Sequence, residues 1–531
     1  MTEKAMRPLG AQISHMLKDR GVEVIFGIPG VHNQEMYRGI QEAGITHVLA
    51  RHEQGAGFMA DGYARATGRP GVAYVITGPG LTNIMTPMGQ AYSDSVPMLV
   101  ISSCLDETAA TRGQLHQMKD QRAAAATVCD WSEEARSADT AYALINRAFM
   151  ECHTARPRPK HIQVPIALLE ARAPAHNPAD MGLSDGVEQL GDLAGVLPEL
   201  LRKARKPLFI FGGGARDAAS HIRAVLDRCP IPVFTTYAGR GIVPPTYPYL
   251  FGSMLARGDS AAVLNASDLV IVVGSELAEV DLWRSDLGYR GKLVRIDIDP
   301  EVLAAQTGSD MRFKAAAHTV FRHLQGTEDL PATFDWTTEE IAAARARWRA
   351  EVDAERPGIL RVADALRVSL PEGTMIYSDM TQFAYAAKEI WDMDRPGHWH
   401  HPTGFGTLGY ATPAAIGGAV ARPGLPTMAI IGDYGFHYTM QELGVAVELG
   451  LPLPIFLWDN GKLKEIEESM VRAQIAPNAV VARNPDFVKL AEAFGARGVA
   501  PHTLMEMQQA VRGAFEADGP TLIHVTPAIQ G

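Results

Sequence analysis

Short apolar runs recur along most of the chain, and each ends at a glycine or a polar residue. Runs of this kind are typical of strands that are buried on both faces of a parallel sheet. Between them lie stretches whose apolar positions repeat at helical spacing. This alternation predicts an α/β fold of doubly wound parallel-sheet domains. The predicted strands that start the chain are Val24–Phe26, His47–Ala50, Gly71–Thr77, Met98–Ser102 and His161–Val164.

The pattern is interrupted twice, which divides the 531 residues into three predicted domains. A Pro-, Ala- and Asp-rich stretch at 173–190 indicates a linker, and a charged, helical connector occupies 327–357. The domains are therefore expected at 1–172, 190–326 and 358–531. The first and third show the same order of elements, which suggests a duplicated ancestor.

One strand-helix-strand unit in the third region carries candidate chemistry. The strand Met428–Ile431 is followed by a predicted tight turn, a helix at Thr439–Leu449 and a second strand, Pro454–Trp458. A right-handed crossover places the residues after the two strands together at the carboxyl edge of the sheet. Asp433 and Asn460 then offer two oxygen ligands for a hard cation such as Mg²⁺. The alternative is an ordinary turn with an asparagine at a strand end.

Four motifs appear in one order along nearly the whole chain: RHEQGA at 51–56, TGPGLTN at 77–83, GTLGY at 406–410 and GDYG at 432–435 followed by Asn460. Together they resemble the thiamine-diphosphate enzymes of the acetolactate synthase and 2-oxo acid decarboxylase superfamily. The resemblance implies a pyrimidine-binding, a middle and a diphosphate-binding domain. It also implies the cofactors thiamine diphosphate and Mg²⁺.

The resemblance assigns roles to individual positions. Glu53 matches the glutamate that hydrogen-bonds the aminopyrimidine ring, and Leu408 matches the apolar wedge that bends the cofactor. Without the other motifs, Glu53 would be explained by the helix dipole and Leu408 by the core. Further positions expected at the cofactor are Gly30, Pro79, Asn83, Thr381, Gln382, Gly406, Gly432, Tyr434 and Gly435. The expected metal ligands are Asp433, Asn460 and the Lys462 carbonyl, and Tyr434 departs from the commoner GDG form.

The reaction class is a 2-oxo acid decarboxylation, which ends either in an aldehyde or, as in acetolactate synthase, in joining a second carbonyl. Three positions, Val31, His116 and Asp130, depart from the acetolactate synthase pattern. The segments GIPGVHN, GDYGFHYT and WDNGKLKEIEESMV look closer to 5-guanidino-2-oxopentanoate (2-ketoarginine) decarboxylases. This resemblance favours decarboxylation of a guanidinium-bearing 2-oxo acid.

A guanidinium substrate requires a carboxylate at the far end of its pocket. Glu465 is the first candidate, with Glu468 and Asp130 behind it; the alternative is a solvated acidic helix face. His32 and His116 are candidates to supply the proton that replaces CO₂, because histidine titrates near neutral pH. Either could instead be a structural histidine.

Two further polar features remain open. Gln117 is a plausible contact to the substrate carboxylate. In the middle region a triple glycine, at 212–214, invites a dinucleotide interpretation but lacks GxGxxG spacing, and close helix-sheet packing explains it equally well. The resembled family either binds FAD in this domain in a non-redox role or leaves it empty.

Composition restricts the partners. The net charge of −11 argues against sequence-independent nucleic-acid binding, and no apolar run is long enough for a membrane span. The first ten residues show no apolar secretion-signal core, and the four scattered cysteines favour reduced thiols. We therefore expect a cytoplasmic protein.

The resemblance also implies an assembly in which the first domain of one subunit faces the third domain of another. A homodimer is the minimum expected, and a homotetramer built as a dimer of dimers is the fuller expectation. A non-catalytic cofactor-binding relic is the remaining alternative. The presence of both Glu53 and the Asp433/Asn460 pair counts against it.

Overall fold

Three six-stranded sheets flanked by helices form the protein in the computed structural model, which describes residues 6–106, 113–177, 190–305 and 309–531. Two compact units contain them. The first unit comprises Met1–Asp185, Ser369–Thr381 and His401–Gly531, and the second comprises Gly186–Val368 and Gln382–His400. The predicted α/β fold with three parallel-sheet domains is confirmed.

The first sheet has the strand order β3-β2-β4-β5-β7-β6, and all neighbouring strands are parallel. Its strands are β2 (Val24–Gly27), β3 (Thr46–Leu49), β4 (Gly71–Val75), β5 (Met98–Cys104), β6 (Trp131–Glu134) and β7 (Pro159–Pro165). Its helices are α1 (Leu9–Asp19), α2 (Gln34–Ala43), α3 (Glu53–Thr67), α4 (Pro79–Ser93), α5 (Gln121–Ala126), α6 (Ala138–Thr154) and α7 (Ile166–Glu170). A short antiparallel pair joins β1 (Arg7–Pro8) to β8 (Arg172–Ala173).

The third sheet has the order β16-β15-β17-β18-β20-β19. Its strands are β15 (Met375–Ser378), β16 (Trp399–His400), β17 (Thr427–Gly432), β18 (Pro454–Trp458), β19 (Arg497–Val499) and β20 (Thr521–Val525). The helices of this part of the first unit are α17 (Ala411–Ala421), α18 (Asp433–Thr439), α19 (Leu443–Glu448), α20 (Lys464–Arg472), α21 (Phe487–Ala493) and α22 (Leu504–Phe515), and a 3-10 turn at Met440–Glu442 joins α18 to α19.

The first and third sheets share one topology. Numbered within each sheet, both have the order 2-1-3-4-6-5, which agrees with the expected common architecture. In such a sheet the connections run in opposite directions on either side of strand 1, and ligands bind in the crevice at that switch point. The switch points lie between β2 and β4 in the first sheet and between β15 and β17 in the third.

Helices α3 and α17 pack against each other closely because both present glycine at their contact. A Cβ atom at Gly62 would lie 1.9 Å from the Ala414 carbonyl oxygen, and one at Gly417 would lie 1.9 Å from the Met59 carbonyl oxygen. Such distances exclude any side chain. The small residues of these helices therefore serve to join the first and third sheets into one hydrophobic core.

The middle sheet, in the second unit, has the order β11-β10-β9-β12-β13-β14, which is the 3-2-1-4-5-6 order of dinucleotide-binding folds. Its strands are β9 (Pro207–Phe211), β10 (Val233–Thr235), β11 (Leu250–Gly252), β12 (Leu269–Val273), β13 (Lys292–Asp297) and β14 (Met311–Lys314). The helices of this unit are α8 (Leu193–Lys203), α9 (Ala219–Leu226), α10 (Ser260–Ala266), α11 (Glu279–Leu282), α12 (Pro300–Ala305), α13 (Ala317–Gln325), α14 (Thr338–Glu355), α15 (Ile359–Arg367) and α16 (Gln382–Ile390), with 3-10 turns at Gly213–Ala218 and Tyr237–Gly239.

Close backbone packing explains two of the three consecutive glycines after β9. A Cβ atom at Gly212 would lie 2.2 Å from the Gly274 carbonyl oxygen, and one at Gly214 would lie 3.0 Å from the Gly274 Cα. This observation favours the packing interpretation of the triple glycine over a dinucleotide loop.

The structure differs from the sequence prediction at the start of α18. The predicted tight turn at 432–435 is wrong, because α18 begins directly at Asp433 and the 3-10 turn then leads into α19. The expected linker at 173–190 lies mostly outside the described residues. Among the helices that the structure describes, none is long and apolar enough to cross a bilayer.

Candidate active site

In the third sheet, an aspartate follows the carboxyl end of each of three neighbouring strands. Strand β15 ends before Asp379, β17 ends at Gly432 before Asp433, and β18 ends before Asp459. Gly432 pairs with Trp458 in the ladder, so Asp433 and Asp459 follow side by side. Asn460 comes one residue later. The prediction that the carboxyl ends of β17 and β18 meet is therefore correct, but the residue that this register places beside Asp433 is Asp459.

The carboxylates of Asp433 and Asp459 form a buried acidic pair. Burial raises the pKa of Asp433, and Asp459 is one of the groups that add to this shift. Asn484 joins the two carboxylates, since its Nδ2 donates to Asp433 Oδ2 at 2.7 Å and to Asp459 Oδ1 at 2.8 Å. His524 Nε2 lies 2.8 Å from Asp459 Oδ2. Two neighbouring carboxylates form an anionic site that suits a cation.

The other expected ligands lie in the segment after β18. The amide oxygen of Asn460 accepts from the Lys462 N–H at 3.2 Å, which folds this segment back on itself. Among the described residues there is no cluster of three or more His, Cys, Asp or Glu side chains arranged for a metal. A set made of the Asp433 carboxylate, the Asn460 amide and the Lys462 carbonyl does not depend on such a cluster. All three are oxygen donors of the kind that Mg²⁺ prefers.

A cavity of about 530 Å³ opens beside this acidic pair. It is lined by Tyr434, His437, Tyr438, Ala482 and Arg483. Tyr434 directly follows Asp433, and the Arg483 guanidinium adds a positive charge next to Asn484. The space and the charge suit a phosphate-bearing ligand.

A glycine-rich loop, Gly404–Tyr410, lies over the same end of the sheet and carries Leu408. Its Gly406 and Gly409 adopt φ values of 68° and 82°, which favour glycine. Leu408 is half-buried rather than enclosed in the core. Its position is consistent with the expected wedge and argues against a plain core residue.

Asp379 lies beneath this loop. It is fully buried, and its Oδ2 accepts from the Gly409 N–H at 2.8 Å while its Oδ1 accepts from the Met380 N–H at 2.7 Å. Burial raises its pKa to about 7, against the opposing effect of these backbone N–H groups. The carboxyl also touches the GDYG segment, because a Cβ at Gly435 would lie 3.0 Å from Asp379 Oδ2.

Thr381 and Gln382, which follow Asp379 closely in the sequence, lie in different surroundings. Thr381 packs on Gly432, whose Cβ would lie 3.1 Å from the Thr381 side chain. Gln382 begins α16 in the second unit and is buried.

Glu53 begins helix α3, directly after the edge strand β3, and its residue exposure is only 8%. Its Oε2 accepts from Asn83 Nδ2 at 2.9 Å, and the other oxygen lies 3.5 Å from a Cβ built at Gly80. Asn83 and Pro79 belong to α4, which starts at the switch point of the first sheet. The RHEQGA and TGPGLTN motifs are thus joined by a hydrogen bond.

A second buried carboxyl, Glu442, supports the start of α3 from the third domain. Its two oxygens accept from the Arg51 N–H at 3.2 and 3.1 Å. A Cβ at Gly55 would lie 2.3 Å from Glu442 Oε1, which explains this glycine of the RHEQGA motif. Burial raises the pKa of Glu442 to about 7, and the charge of Glu53 adds to the shift.

We expect Glu442 to make the stability of the protein depend on pH. Because its pKa rises from 4.5 to about 7 on folding, the folded protein retains a proton that the unfolded chain releases. The free energy of unfolding should therefore fall as pH rises from about 4.5 to 7, by up to about 3 kcal/mol. In Glu442→Gln this slope should be flatter. Urea unfolding across that range tests the expectation.

The control for this experiment is Glu448→Gln, which removes an exposed carboxylate paired with Arg51. It should leave the slope of stability against pH as in the wild type. Parallel curves for wild type and Glu442→Gln would contradict the assignment of the slope to Glu442.

The two candidate proton donors lie together at the switch point of the first sheet. The rings of His32 and His116 are 4.8 Å apart in an edge-to-face arrangement. Both Nδ1 atoms are buried, with no hydrogen-bond partner among the described residues. Burial lowers the pKa of His32, and His116 adds to the effect. Gly30, in the same loop as His32, is fixed by a 2.8 Å bond from its N–H to Asn33.

The remaining candidates differ in their surroundings. Gln117 accepts from the Gln114 N–H at 3.1 Å and is half-buried. Asp130 lies 3.4 Å from the buried Lys160 ammonium, so its charge is already paired. In α20, Glu467 pairs with Lys462 and Lys464, and Glu468 lies 3.5 Å from Lys464.

Glu465 differs from its neighbours in α20 because its partner is a guanidinium. Its Oε1 lies 3.8 Å from Arg472, and its side chain is about one-third exposed.

Four polar residues at this site were not found from the sequence: Asp379, Glu442, Asp459 and Asn484. Asp459 adjoins Asn460 and could have been found from the strand end alone. The others contact partners 30 or more positions away, and no local pattern marks such pairs.

Three family models match the chain in order. The thiamine pyrophosphate enzyme N-terminal TPP binding domain matches residues 7–124, the central domain 196–324 and the C-terminal TPP binding domain 379–525. The chain therefore belongs to the thiamine pyrophosphate enzyme family. Thiamine diphosphate, which is the same compound, is confirmed as the cofactor class.

Curated relatives match over nearly the full length. The chain is 40% identical to the probable 2-ketoarginine decarboxylase AruI of Pseudomonas aeruginosa, over 98% of this chain and 94% of the relative. It is 29% identical to the acetolactate synthase isozyme 2 large subunit of Escherichia coli, over 97% and 95%. It is 30% identical to an acetolactate synthase of Mycobacterium bovis, over 92% and 83%. The family resemblance inferred from the motifs is confirmed.

Proposed function

We propose that this protein is a thiamine-diphosphate- and Mg²⁺-dependent decarboxylase that converts 5-guanidino-2-oxopentanoate to an aldehyde and CO₂. The observation that carries the proposal is the 40% identity, over nearly both full lengths, to a probable 2-ketoarginine decarboxylase. The carboxylates expected for the cofactor chemistry, Glu53 and Asp433, are both present and buried.

The residues of the site suit the cofactor. Asp433, Asn460 and the Lys462 carbonyl would hold Mg²⁺ and, through it, the diphosphate. Leu408 and the backbone of Gly406 would support the pyrimidine end. When bound, thiamine diphosphate supplies a nucleophilic carbon and accepts the electron pair that remains when CO₂ leaves.

The protein's own residues then control protons. Glu53, held by Asn83, would exchange a proton with the pyrimidine ring of the cofactor. The His32–His116 pair would supply the proton that takes the place of CO₂ in the product. Burial and the neighbouring His116 lower the pKa of His32, which favours the neutral form of that ring. Gln117 would contact the substrate carboxylate.

Substrate selection is proposed to rest on Glu465. Two of the three acidic side chains in α20 face lysines, whereas Glu465 already has an arginine guanidinium as its neighbour. A substrate guanidinium could replace that of Arg472 and form a bidentate pair.

We expect Glu465→Gln to lower kcat/KM for 5-guanidino-2-oxopentanoate by about 10–100-fold, the value of one charged hydrogen bond. Activity on uncharged 2-oxopentanoate should not change. Glu467→Gln is the matched control, since that carboxylate lies on the same helix and pairs with Lys462 and Lys464. Equal losses on both substrates would remove Glu465 from substrate recognition.

We also propose a homodimer, and a homotetramer as its fuller assembly, in which a second subunit completes each site. Mg²⁺ dependence and a cytoplasmic location belong to the same proposal. Sedimentation of the enzyme during turnover tests the assembly, and a fully active monomer would contradict it.

The reaction itself is tested by measuring CO₂ release from pyruvate, branched, aromatic and guanidino 2-oxo acids, with identification of the products. We expect the guanidino acid to be preferred and 4-guanidinobutanal to form. The acetolactate synthases among the relatives support one alternative, a carboligase. Preference for pyruvate with acetolactate as the product would establish that alternative.

A further inference from the structure

The loop Gly404–Tyr410 is held at both ends by buried carboxylates. At its start, Asp94 Oδ1 accepts from the Gly404 N–H at 2.8 Å. At its end, Asp379 Oδ2 accepts from the Gly409 N–H at 2.8 Å, and the Ala411 N–H lies 3.5 Å away. The four residues from Phe405 to Leu408 lie between these two attachments.

Each carboxylate is fixed in turn by its own surroundings. The other oxygen of Asp94 accepts from Arg65 at 2.8 Å and from Gln90 at 2.7 Å, both in the first domain. Asp379 is anchored by the Met380 N–H and faces Gly435, where an added Cβ would lie 3.0 Å from its Oδ2. The loop is therefore tied to α3 and α4 at one end and to the GDYG segment at the other.

We propose that Asp94 and Asp379 form a two-ended clamp that positions the Gly404–Tyr410 loop, and with it Leu408, for the cofactor. Both are positioning residues, because they act on the backbone of the loop. The proposal rests on the proposed function for its link to the cofactor, but the clamp itself is a property of the cofactor-free protein. The two glycines at positive φ leave the loop backbone many accessible conformations, and the two carboxylates select one of them.

The first test measures hydrogen-deuterium exchange of the cofactor-free protein by mass spectrometry. Asp379→Asn replaces one accepting oxygen by a donating amide, and exchange in peptides covering 409–411 should accelerate by about 10–100-fold, as expected for the loss of a charged hydrogen bond. Asp94→Asn should accelerate exchange at 403–405 instead. Ser378→Ala is the control, since this neighbouring hydroxyl lies 2.9 Å from His401 Nδ1.

The second test measures binding of thiamine diphosphate with Mg²⁺ by calorimetry, and near-UV circular dichroism of the bound pyrimidine. We expect both clamp variants to bind about tenfold or more weakly and to show an altered dichroism band. Wild-type exchange and wild-type affinity in Asp379→Asn would overturn the proposal.

Two further outcomes are distinguishable. If Asp379→Asn does not fold, Gly435→Ala provides a milder perturbation, because its Cβ would lie 3.0 Å from Asp379 Oδ2. Unchanged hydrogen-deuterium exchange at 409–411 in that variant would also overturn the clamp. If the wild type binds no thiamine diphosphate, the proposed function fails while the exchange experiment still decides the clamp.

Discussion

Glu53→Gln is expected to lower turnover by at least about 100-fold, the lower end of what a positioned acid-base group contributes. The amide retains an oxygen that can accept from Asn83 Nδ2, so the helix start and its hydrogen bond should persist. It cannot exchange a proton with the pyrimidine ring. Thiamine diphosphate should therefore bind with affinity within a fewfold of wild type while CO₂ release nearly stops.

The combination of readouts separates a catalytic role from a structural one. Calorimetry gives the cofactor affinity, and a CO₂-release assay gives turnover on the same preparation. Glu448→Gln is the control, because this exposed carboxylate pairs with the surface-facing Arg51 side chain; its turnover should equal that of wild type. Turnover of Glu53→Gln near the wild-type value would falsify the catalytic assignment.

Asp433→Ala is expected to weaken Mg²⁺-dependent cofactor binding by more than about 100-fold, since losing groups that merely support metal ligands already costs 10–100-fold. The cofactor-free protein should respond in the opposite sense. Asp433 and Asp459 are neighbouring carboxylates, so removing one relieves their repulsion. The free energy of unfolding without cofactor should therefore stay the same or increase.

Cofactor titration in excess Mg²⁺ and urea unfolding without either ligand measure these two effects. Asp518→Ala, at an exposed position, should change neither. A variant of Asp433 that is less stable than wild type but binds the cofactor normally would show that the carboxylate is structural and that the cation is held elsewhere.

The strands that are buried on both faces could be predicted because their sequences are apolar without interruption. Pro454–Trp458 is one example, because its predicted bounds agree with the structure residue for residue. The edge strand β14 has no such run. In β14 (Met311–Lys314), exposed and half-buried residues alternate, and this strand was not predicted.

The start of α18 shows why glycines in a short stretch of sequence can wrongly predict a turn. Glycines at 432 and 435 suggested a turn, yet Gly435 lies within a helix. A Cβ at this position would lie only 3.0 Å from Asp379 Oδ2, so the glycine lets the carboxyl pack closely against α18. Gly435 is therefore explained by its contact with Asp379 and not by a bend in the chain. A contact between residues so far apart in the sequence cannot be inferred from the local pattern.

The site was predictable to the extent that its residues form motifs. Glu53, Asp433 and Leu408 were singled out because each belongs to a short sequence motif. Glu442 and Asn484 have no such pattern, and their importance arises from partners 391 and 51 positions away. Long-range polar contacts of this kind depend on the finished packing of α3, α17 and the third sheet.

The central proposal is that two sheets of the same topology, from partner subunits, would hold a bent thiamine diphosphate, with Glu53 at its pyrimidine and a cation on its phosphates. A crystal structure of the protein grown with thiamine diphosphate and Mg²⁺ tests this most directly. We predict the Glu53 carboxyl within hydrogen-bonding distance of the pyrimidine ring, and Asp433 and Asn460 bound to the cation. An empty cleft, or a Glu53 carboxyl that faces solvent away from any bound ring, would contradict the account.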